Sequence, residues 1–361
     1  MATMKDIADR LGISLGTVSK GLNGGQDISE SLRQSILDTA VELGYQSRRA
    51  KKTGQRKLAL FIENMDYASE DQFGYDIVKG FQKAAFRDGW GVDVISLSHT
   101  FQNENRYDGY MVQEKYAGAF FLGLSLDDPW MDQLAETALP TVLLDNAVQV
   151  NPHVGSISTD SEEGIDMAIS HLVSYGHEKI AFLNGSAGSM VSNLRMSAYL
   201  SSISRHQLHI DPNLAVYGYF VADAARYHVP GFLDRGATAI LCGNDLIASG
   251  VIECVKAAGF SVPEDVSVIG FDDLPLAAAL DPPLTTVRQN REELGQSGFF
   301  TLYAIMNDVS MIRNYLRPSL IVRGSTAMAR PRIAVRREDD QDSVARVNPE
   351  LFTRYIRQGM M

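Results

Sequence analysis

The sequence predicts a small all-α helix-turn-helix headpiece followed by a larger α/β region of two parallel-sheet subdomains. Three observations carry that prediction. At 361 residues the chain exceeds the ~100–200 residues of an ordinary domain, so more than one hydrophobic core is expected. Near its start, KDIADRL and SLGTVSK are two short helical patterns parted by a Gly12-Ile13 turn. From Lys57 onward, short apolar runs alternate with amphipathic segments, and the alternation occurs in two successive series.

Thr3 begins the first helix, with Asp6 three residues on as a variant of the capping box, and Ile7, Ala8 and Leu11 form its apolar face. Ser14 is a natural N-cap for the second helix, which places Leu15 and its successors on a first turn able to enter a DNA major groove. Val18 and Leu22 add a second apolar ridge. Ser29 caps a third helix, whose Leu32, Ile36, Leu37, Ala40 and Leu43 complete a small core before Gly44 stops it.

The formal charge of −11 is unevenly distributed. Residues 1–57 hold ten Lys or Arg against six Asp or Glu, a local +4, which leaves 23 basic and 38 acidic residues, −15, for the remainder. Only the amino-terminal end is suited to meet phosphate. Residues 48–57, RRAKKTGQRK, hold six basic residues and no acid, so Arg48 and Arg49 are expected to add salt-dependent phosphate contacts. A solvated linker is the plainer reading of the same run. The charged, amphipathic start has no long apolar run, so neither a secretory signal nor a membrane span is expected. The expectation is a cytoplasmic protein, associated with the nucleoid when on DNA. Cys242 and Cys254 lack metal-type spacing and read as reduced packing residues.

MKDIADRLGISLGTVSKGLNGGQDISESLRQSILDTAVELGY resembles the headpiece of the lactose/galactose repressor family of bacterial transcriptional regulators, including its TVS core, Asn23 after the second helix and the closing LGY. The resemblance implies that Leu15, Gly16 and Lys20 occupy base-reading positions. It also implies that Thr17, Ser19, Asn23 and Tyr45 contact phosphate or position the backbone. Gly16 has no side chain to offer, so reading falls on Lys20, which reaches guanine acceptors, and on Leu15, which touches a thymine methyl. In this family a hinge helix pushes a leucine wedge into the minor groove. Here no Leu lies between Leu43 and Leu58, and Gly54 disfavours a helix, so a basic arm with weak or absent wedging is expected.

In the α/β region, LALFIE, VDVIS, GAFFLGL and TVLLD read as buried strands, with helices near Phe73–Arg87, Glu104–Gln113 and Trp130–Thr137. KIAFLNG, AVYGYF, TAILCG, VSVIGF and TTVR form the second series, with helices near Glu162–Tyr175, Val191–Ser204, Asp245–Ala258 and Arg291–Asn307. Two such sheets side by side leave a cleft at the carboxyl ends of their strands, where open α/β folds bind ligands. HLVSYGHEKIAFLNG, TAILCGNDLIASGV and VPEDVSVIGFDDLPLAAALDPPLTTVRQN extend the resemblance into the periplasmic-binding-protein-like effector domain of these repressors, through RPSLIVRGSTA at Arg317–Ala327. The expected division is a headpiece over 1–47, a basic linker over 48–57 and an effector-binding and dimerisation domain over 58–330. Within the last, one subdomain takes 58–158 plus 290–320 and the other 159–289 plus 321–330. A charged tail occupies 331–361.

By the same resemblance, Arg195 in SNLRMSAY, Asn244 in CGND and Asp272 in GFDD are polar effector contacts. Arg supplies a fork of donors, Asp accepts paired hydroxyl hydrogens and Asn does both, a set suited to a sugar or sugar derivative. Phe73 and Phe220 stand where an aromatic face can stack on a ring, although core packing explains either one equally well. Asp71 is a candidate in the loop before Phe73. Arg291 stands where an apolar or aromatic pocket residue is common in the family, and Asp160, Asp245 and Asp273 read as structural acids near strand ends.

Together these residues imply a repressor of carbohydrate-related genes, a homodimer on a pseudo-palindromic double-stranded operator, switched by a small-molecule effector. An enzyme is the competing class; the sequence holds no P-loop or HExxH, and GISLG at 12–16, which fits GxSxG, lies at the turn between two helical patterns and not at a strand-to-helix elbow. No cofactor or metal is expected; His171 and His177 flank a helix end and read as structural. A solute-sensing protein that does not regulate DNA is the remaining alternative.

Overall fold

The computed structural model describes residues 3–22, 27–43, 45 and 56–330; the expectations placed on Asn23, Arg48, Arg49 and the tail from residue 331 lie outside the described residues. Thr3 caps α1 (Met4–Leu11) reciprocally: the Asp6 N–H donates to the Thr3 hydroxyl, and the Thr3 N–H donates to the Asp6 carboxylate at 2.7 Å. Gly12, at φ +66°, ends that helix in the left-handed conformation. At the start of α2 (Leu15–Leu22) the Thr17 N–H donates to Ser14 Oγ at 3.1 Å. At the start of α3 (Glu30–Glu42) the Leu32 N–H donates to Ser29 Oγ at 3.3 Å. Ile7, Ala8, Val18, Leu22, Ile36, Leu37 and Ala40 bury against one another, so the three helices hold each other in place.

The α/β region runs through β1 (Arg56–Ile62), α4 (Phe73–Arg87), β2 (Trp90–Ser96), α5 (His99–Glu104), α6 (Tyr107–Glu114), β3 (Ala119–Leu122), α7 (Trp130–Glu136), β4 (Thr141–Leu144) and β5 (Val154–Thr159). It continues with α8 (Ser161–Ser174), β6 (Ile180–Asn184), α9 (Met190–Arg205), β7 (Ala215–Tyr217), α10 (Ala225–Asp234), β8 (Ala239–Cys242), α11 (Asp245–Ala257), β9 (Ser267–Asp272), α12 (Pro275–Ala279) and β10 (Thr285–Arg288). Last come α13 (Arg291–Met306), β11 (Arg313–Leu316) and β12 (Ser319–Ile321).

The first sheet has the order β11-β5-β4-β3-β1-β2 and is parallel throughout. The second has the order β12-β10-β9-β8-β6-β7, with only β12 antiparallel to its neighbour. The chain passes between the sheets after β5, after β10 and after β11. Both faces of each sheet are covered, which is why the strands read as unbroken apolar runs. In β1, Leu58, Leu60 and Ile62 face a core with Phe81 and Phe299, while Ala59 and Phe61 face another with Phe121 and Trp130. Each fully buried side chain of that size stabilises the fold by ~1.5–3 kcal/mol. α13 completes the first sheet's cover by lying on α4 at close range: a Cβ on Gly80 would stand 2.2 Å from the Glu292 carbonyl oxygen, and one on Gly295 2.0 Å from that of Ile77.

The structure corrects the expected elements at four places. The helix expected over Glu104–Gln113 is α6, which starts only at Tyr107, and the unexpected α5 precedes it; between them the Trp130 indole N–H donates to the carbonyls of Gln102 (3.0 Å) and Asn105 (2.8 Å). β5 escaped notice because VGSIST carries three hydroxyl residues, although every position in it is buried. α10 contains Pro230, which reads as a break in sequence, yet a turn of 3-10 helix over Ala222–Ala224 leads into it. AVYGYF yields a strand only over Ala215–Tyr217; the Gly218 N–H makes a last bond to the Asn184 carbonyl of β6 at 3.1 Å, and the strand stops there. Among the described residues no helix is long and apolar enough to cross a membrane.

Candidate functional site

Burying Val18 and Leu22 turns the opposite side of α2 outward. Leu15 is half exposed, and Gly16 and Lys20 are exposed beside it, so the three expected base-reading positions share the open face. The Thr17 hydroxyl lies 2.9 Å from Ser14 Oγ, and Ser19 is half buried. Lys20 Nζ is engaged by the Asp27 carboxylate, whose pKa that bond lowers. Tyr45 packs on the headpiece core and its N–H donates to the Ala40 carbonyl at 2.8 Å, so its ring is first a packing group.

A second group of polar residues collects at the carboxyl ends of the second sheet's strands. Arg195, projecting from α9 and 3% exposed, stacks its guanidinium 3.8 Å from the Phe271 ring centre and donates from Nη1 to the Gly243 carbonyl at 2.6 Å. Asn244 follows Gly243; its Oδ1 accepts the Ile247 N–H at 2.8 Å as the cap of α11, so what it offers a ligand is chiefly its amide donor. Asp272 ends β9 and accepts from Gln289 Nε2 at 2.7 Å. Its φ of +112°, followed by +57° at Asp273, is unusual for residues with a side chain. Asp273 holds that turn through Arg288 Nε (2.6 Å) and Arg323 Nη2 (2.7 Å).

The electrostatics are those of Arg195 and, acting on Asp272, Arg291 among several acids. Burial pushes the Asp272 carboxyl up to about 6, against the pull of Arg195 and the Gln289 hydrogen bond. Asp145, after β4 of the first sheet, is likewise pushed up by burial and pulled down by Arg195. Asp245 is pushed up by burial and by Asp272, and is occupied by the Leu274 N–H (2.7 Å) and the Thr286 hydroxyl (2.6 Å). That makes it structural, as are Asp273 and Asp160, which accepts the Glu163 N–H at 3.0 Å to cap α8.

Several buried atoms in these segments have no hydrogen-bond partner: Asp145 Oδ1, Arg195 Nε, Gln289 Oε1, Thr159 Oγ1, Ser161 Oγ and Ser192 Oγ. Buried polar atoms are ordinarily paired, so these are open to a further polar partner. Asp145 and Gln289 were not singled out in the sequence. The signal for Asp145 was an acid closing the apolar run TVLLD; Gln289 had no comparable mark.

The remaining candidates are placed by other contacts. The Phe220 ring lies over Gly185, where a Cβ would meet it at 2.1 Å, and packs on the second sheet's core. Phe73 packs on the first sheet's core, and Asp71 is exposed in the turn before it. Arg291 pairs with Asp76 (2.9 Å) and donates to the Gln72 carbonyl (3.0 Å), tying α13 to the start of α4, and its charge also draws the Asp272 carboxyl down. His171 and His177 face Thr326, Thr238, Ser267 and the Ala327 carbonyl, and burial lowers both imidazoles. Among the described residues, Glu63, His99 and Asp128 of the first sheet's lobe are the group with metal-ligand chemistry.

Residues 3–47 match the family of bacterial regulatory proteins of the lacI type, and residues 169–326 match the periplasmic binding protein-like domain. The chain is 28% identical over 334 residues to the HTH-type transcriptional repressor CytR of Escherichia coli (strain K12), covering 90% of this chain and 96% of that one. The Ribose operon repressor of the same strain is 28% identical over 333 residues, covering 90% and 100%. Among solved structures, a transcriptional regulator CelR–cellobiose complex superposes with a TM-score of 0.68 at 26% identity, over 90% of this chain and 100% of that chain. The lac repressor dimer bound to operator and the anti-inducer ONPF gives 0.62 at 26% identity, over 90% and 99%. With its headpiece, its two-sheet α/β region and relatives aligned along nine tenths of its length, the chain belongs to the lacI family of bacterial regulatory proteins.

Proposed function

We propose that this protein is a ligand-responsive, sequence-specific transcriptional regulator, a repressor that binds its operator as a homodimer and is switched by a neutral polyhydroxylated effector. The observation that carries the ligand half is the set of unpaired buried polar atoms around Arg195, Asp145 and Gln289. Hydroxyl groups both donate and accept, so a sugar or nucleoside satisfies acids and arginine together. Two guanidiniums, Arg195 and Arg291, act on the three acids Asp145, Asp245 and Asp272, and the excess of acid disfavours an anionic ligand, which would meet like charge. The relative solved with cellobiose fits this class.

In this reading the headpiece (1–47) presents Leu15, Gly16 and Lys20 to bases, while Thr17, Ser19, Asn23, Tyr45, Arg48 and Arg49 meet the backbone. Arg195, Asn244 and Asp272 grip the effector, with Phe73, Phe220 and Asp71 at the margins. A single headpiece buries little surface, so two half-sites on a pseudo-palindrome supply the affinity. The lac repressor relative is a dimer on its operator. The effector acts by binding one arrangement of the two lobes more tightly than the other, which shifts the headpiece spacing and with it DNA affinity. Regulation without catalysis is supported by relatives named as repressors.

The test is a thermal-shift screen of the full chain against sugars, nucleosides and sugar phosphates, with each hit assayed on DNA selected from a random pool. A neutral sugar or nucleoside that stabilises the protein and changes binding to a palindromic site is the expected outcome. A ligand hit with no selected DNA would leave a solute sensor; a preference for phosphorylated sugars would overturn the electrostatic argument.

A further inference from the structure

Parallel strands lying side by side deliver the residues that follow them to one end of a sheet, and β2, β1 and β3 are neighbours in the first sheet. Glu63 follows β1, His99 opens α5 after β2, and Asp128 lies in the loop after β3. Far apart in sequence, they form no ligand motif there. In the fold one donor atom from each lies within 4.8 Å of the others. His99 Nε2 is 2.8 Å from Asp128 Oδ1 and 3.8 Å from Glu63 Oε1.

The two carboxylates are sealed in, with side chains 4% and 0% exposed, while His99 is 56% exposed. Adjacent buried acids are costly to charge without a cation. Their orientation is nonetheless fixed by neighbours. The Ser125 N–H donates to Asp128 Oδ2 at 2.5 Å, and Gln102 Nε2 donates to Glu63 Oε2 and, at 3.2 Å, to Asp128 Oδ1. Gln102 is itself held by the Trp130 N–H at 3.0 Å. Glu63 Oε1 and Asp128 Oδ1 are thereby turned toward the imidazole, the arrangement in which outer hydrogen bonds aim metal ligands. Gly123, at φ +80°, lets the Asp128 loop lie against β1, since a Cβ there would stand 1.7 Å from the Glu63 carbonyl oxygen.

A four-coordinate zinc ion sits ~2.0–2.2 Å from its donors, which spaces them roughly 3–3.5 Å apart. The two His99 separations, 2.8 and 3.8 Å, straddle that value, and rotation of the solvent-facing imidazole evens them; the two carboxylate oxygens lie within 4.8 Å of each other and would be drawn together by the ion. One imidazole with two carboxylates is a nitrogen–oxygen set that suits zinc-type ions better than magnesium or calcium. Beside it opens a cavity of about 280 Å³ lined by Glu63, Asn64, Asp66 and Ser96 among others. We propose that Glu63, His99 and Asp128 form a zinc-type divalent cation site at the strand ends of the first sheet, with a coordination position open to that cavity. The ion would also fix the loop whose Leu126 N–H donates to the Gly188 carbonyl of the second sheet's lobe at 3.0 Å.

The experiment is titration of the full-length, chelator-treated protein with Zn²⁺ by calorimetry and with Co²⁺ by visible absorption. One ion per chain is expected, with d–d bands for Co²⁺, and both signals should weaken at least tenfold in His99→Ala and in Glu63→Gln. His99 is largely solvent-facing and Gln matches Glu in volume, so both variants should melt like the wild type in chelator. Absence of saturable binding by the wild type would overturn the site. So would one-ion binding that survives both substitutions, which would place the ion elsewhere on the chain. Neither readout involves DNA or a sugar, so the outcome is independent of the regulatory reading.

Discussion

The outer face of the headpiece and the polar end of the second sheet are both surfaces for recognition, and they are built in opposite ways. The headpiece face is one short run of sequence whose reading residues are exposed and whose burial falls on other positions, Val18 and Leu22. The sheet end gathers Arg195, Asn244, Asp272 and Gln289 from segments far apart in the chain and buries all four. At the first surface, binding and folding are carried by different side chains. At the second, the groups that meet the ligand also hold one another, so a change in one disturbs stability and recognition together.

The largest expected effect therefore comes from Arg195. Arg195→Ala removes the buried cation that acts on both Asp145 and Asp272, and strips a packing partner from Phe271. Breaking a buried charge network from one side costs ~3–5 kcal/mol. Urea unfolding should show a loss of that order, together with loss of the effector response. Arg195→Lys should recover part of the stability without the fork of donors. An alanine variant that unfolds like the wild type would show that the two acids do not depend on the guanidinium.

Asp272 sharpens the same contrast through pH. Its folded-state pKa, about 6, lies above the ordinary 3.8, so the folded protein keeps the proton longer than the unfolded chain does. The unfavourable charge then appears as pH rises from about 4 to about 6, and stability falls across that window. Asp272→Asn carries no such charge. Without ligand it should exceed the wild type in stability at pH 7, by on the order of 2–3 kcal/mol, and the gap should close toward pH 4. A gap constant with pH would mean that Asp272 is not held protonated by its surroundings.

The same difference in construction decides what was legible in sequence. The caps at Thr3, Ser14 and Ser29 and the buried faces of α1 to α3 could be read because capping and helical periodicity are local. The strands could be read where both faces are apolar, and β5 could not, because its serines and threonine are buried by the sheet and not by their own chemistry. Arg195, Asn244 and Asp272 were named from family resemblance, yet nothing local shows that Asp145 approaches Arg195 from the other sheet. Resemblance alone puts Arg291 at a pocket position; its pairing with Asp76 and Gln72 is made across the fold, and periodicity does not encode it.

On the headpiece the expected effects are smaller and leave the fold intact. Lys20→Ala should weaken binding to a selected operator by ~1–3 kcal/mol, the range for a good base contact, with no change in melting temperature. An equal loss on random DNA would make Lys20 a phosphate contact.

The smallest effect, and the finest test of the contrast, concerns Asp27. In the DNA-free protein its carboxylate engages the Lys20 ammonium, so docking on a guanine must first break that ion pair. Both side chains are well exposed, at 53% and 61%, and water replaces the lost partner cheaply. Asp27→Asn should thus tighten operator binding modestly. The decisive comparison is the same substitution in a Lys20→Ala background. A gain confined to the Lys20 protein means that Asp27 competes with DNA for this side chain. Equal gains in both backgrounds mean that removing an acid merely raises the positive potential of the whole face, an effect that salt would erase.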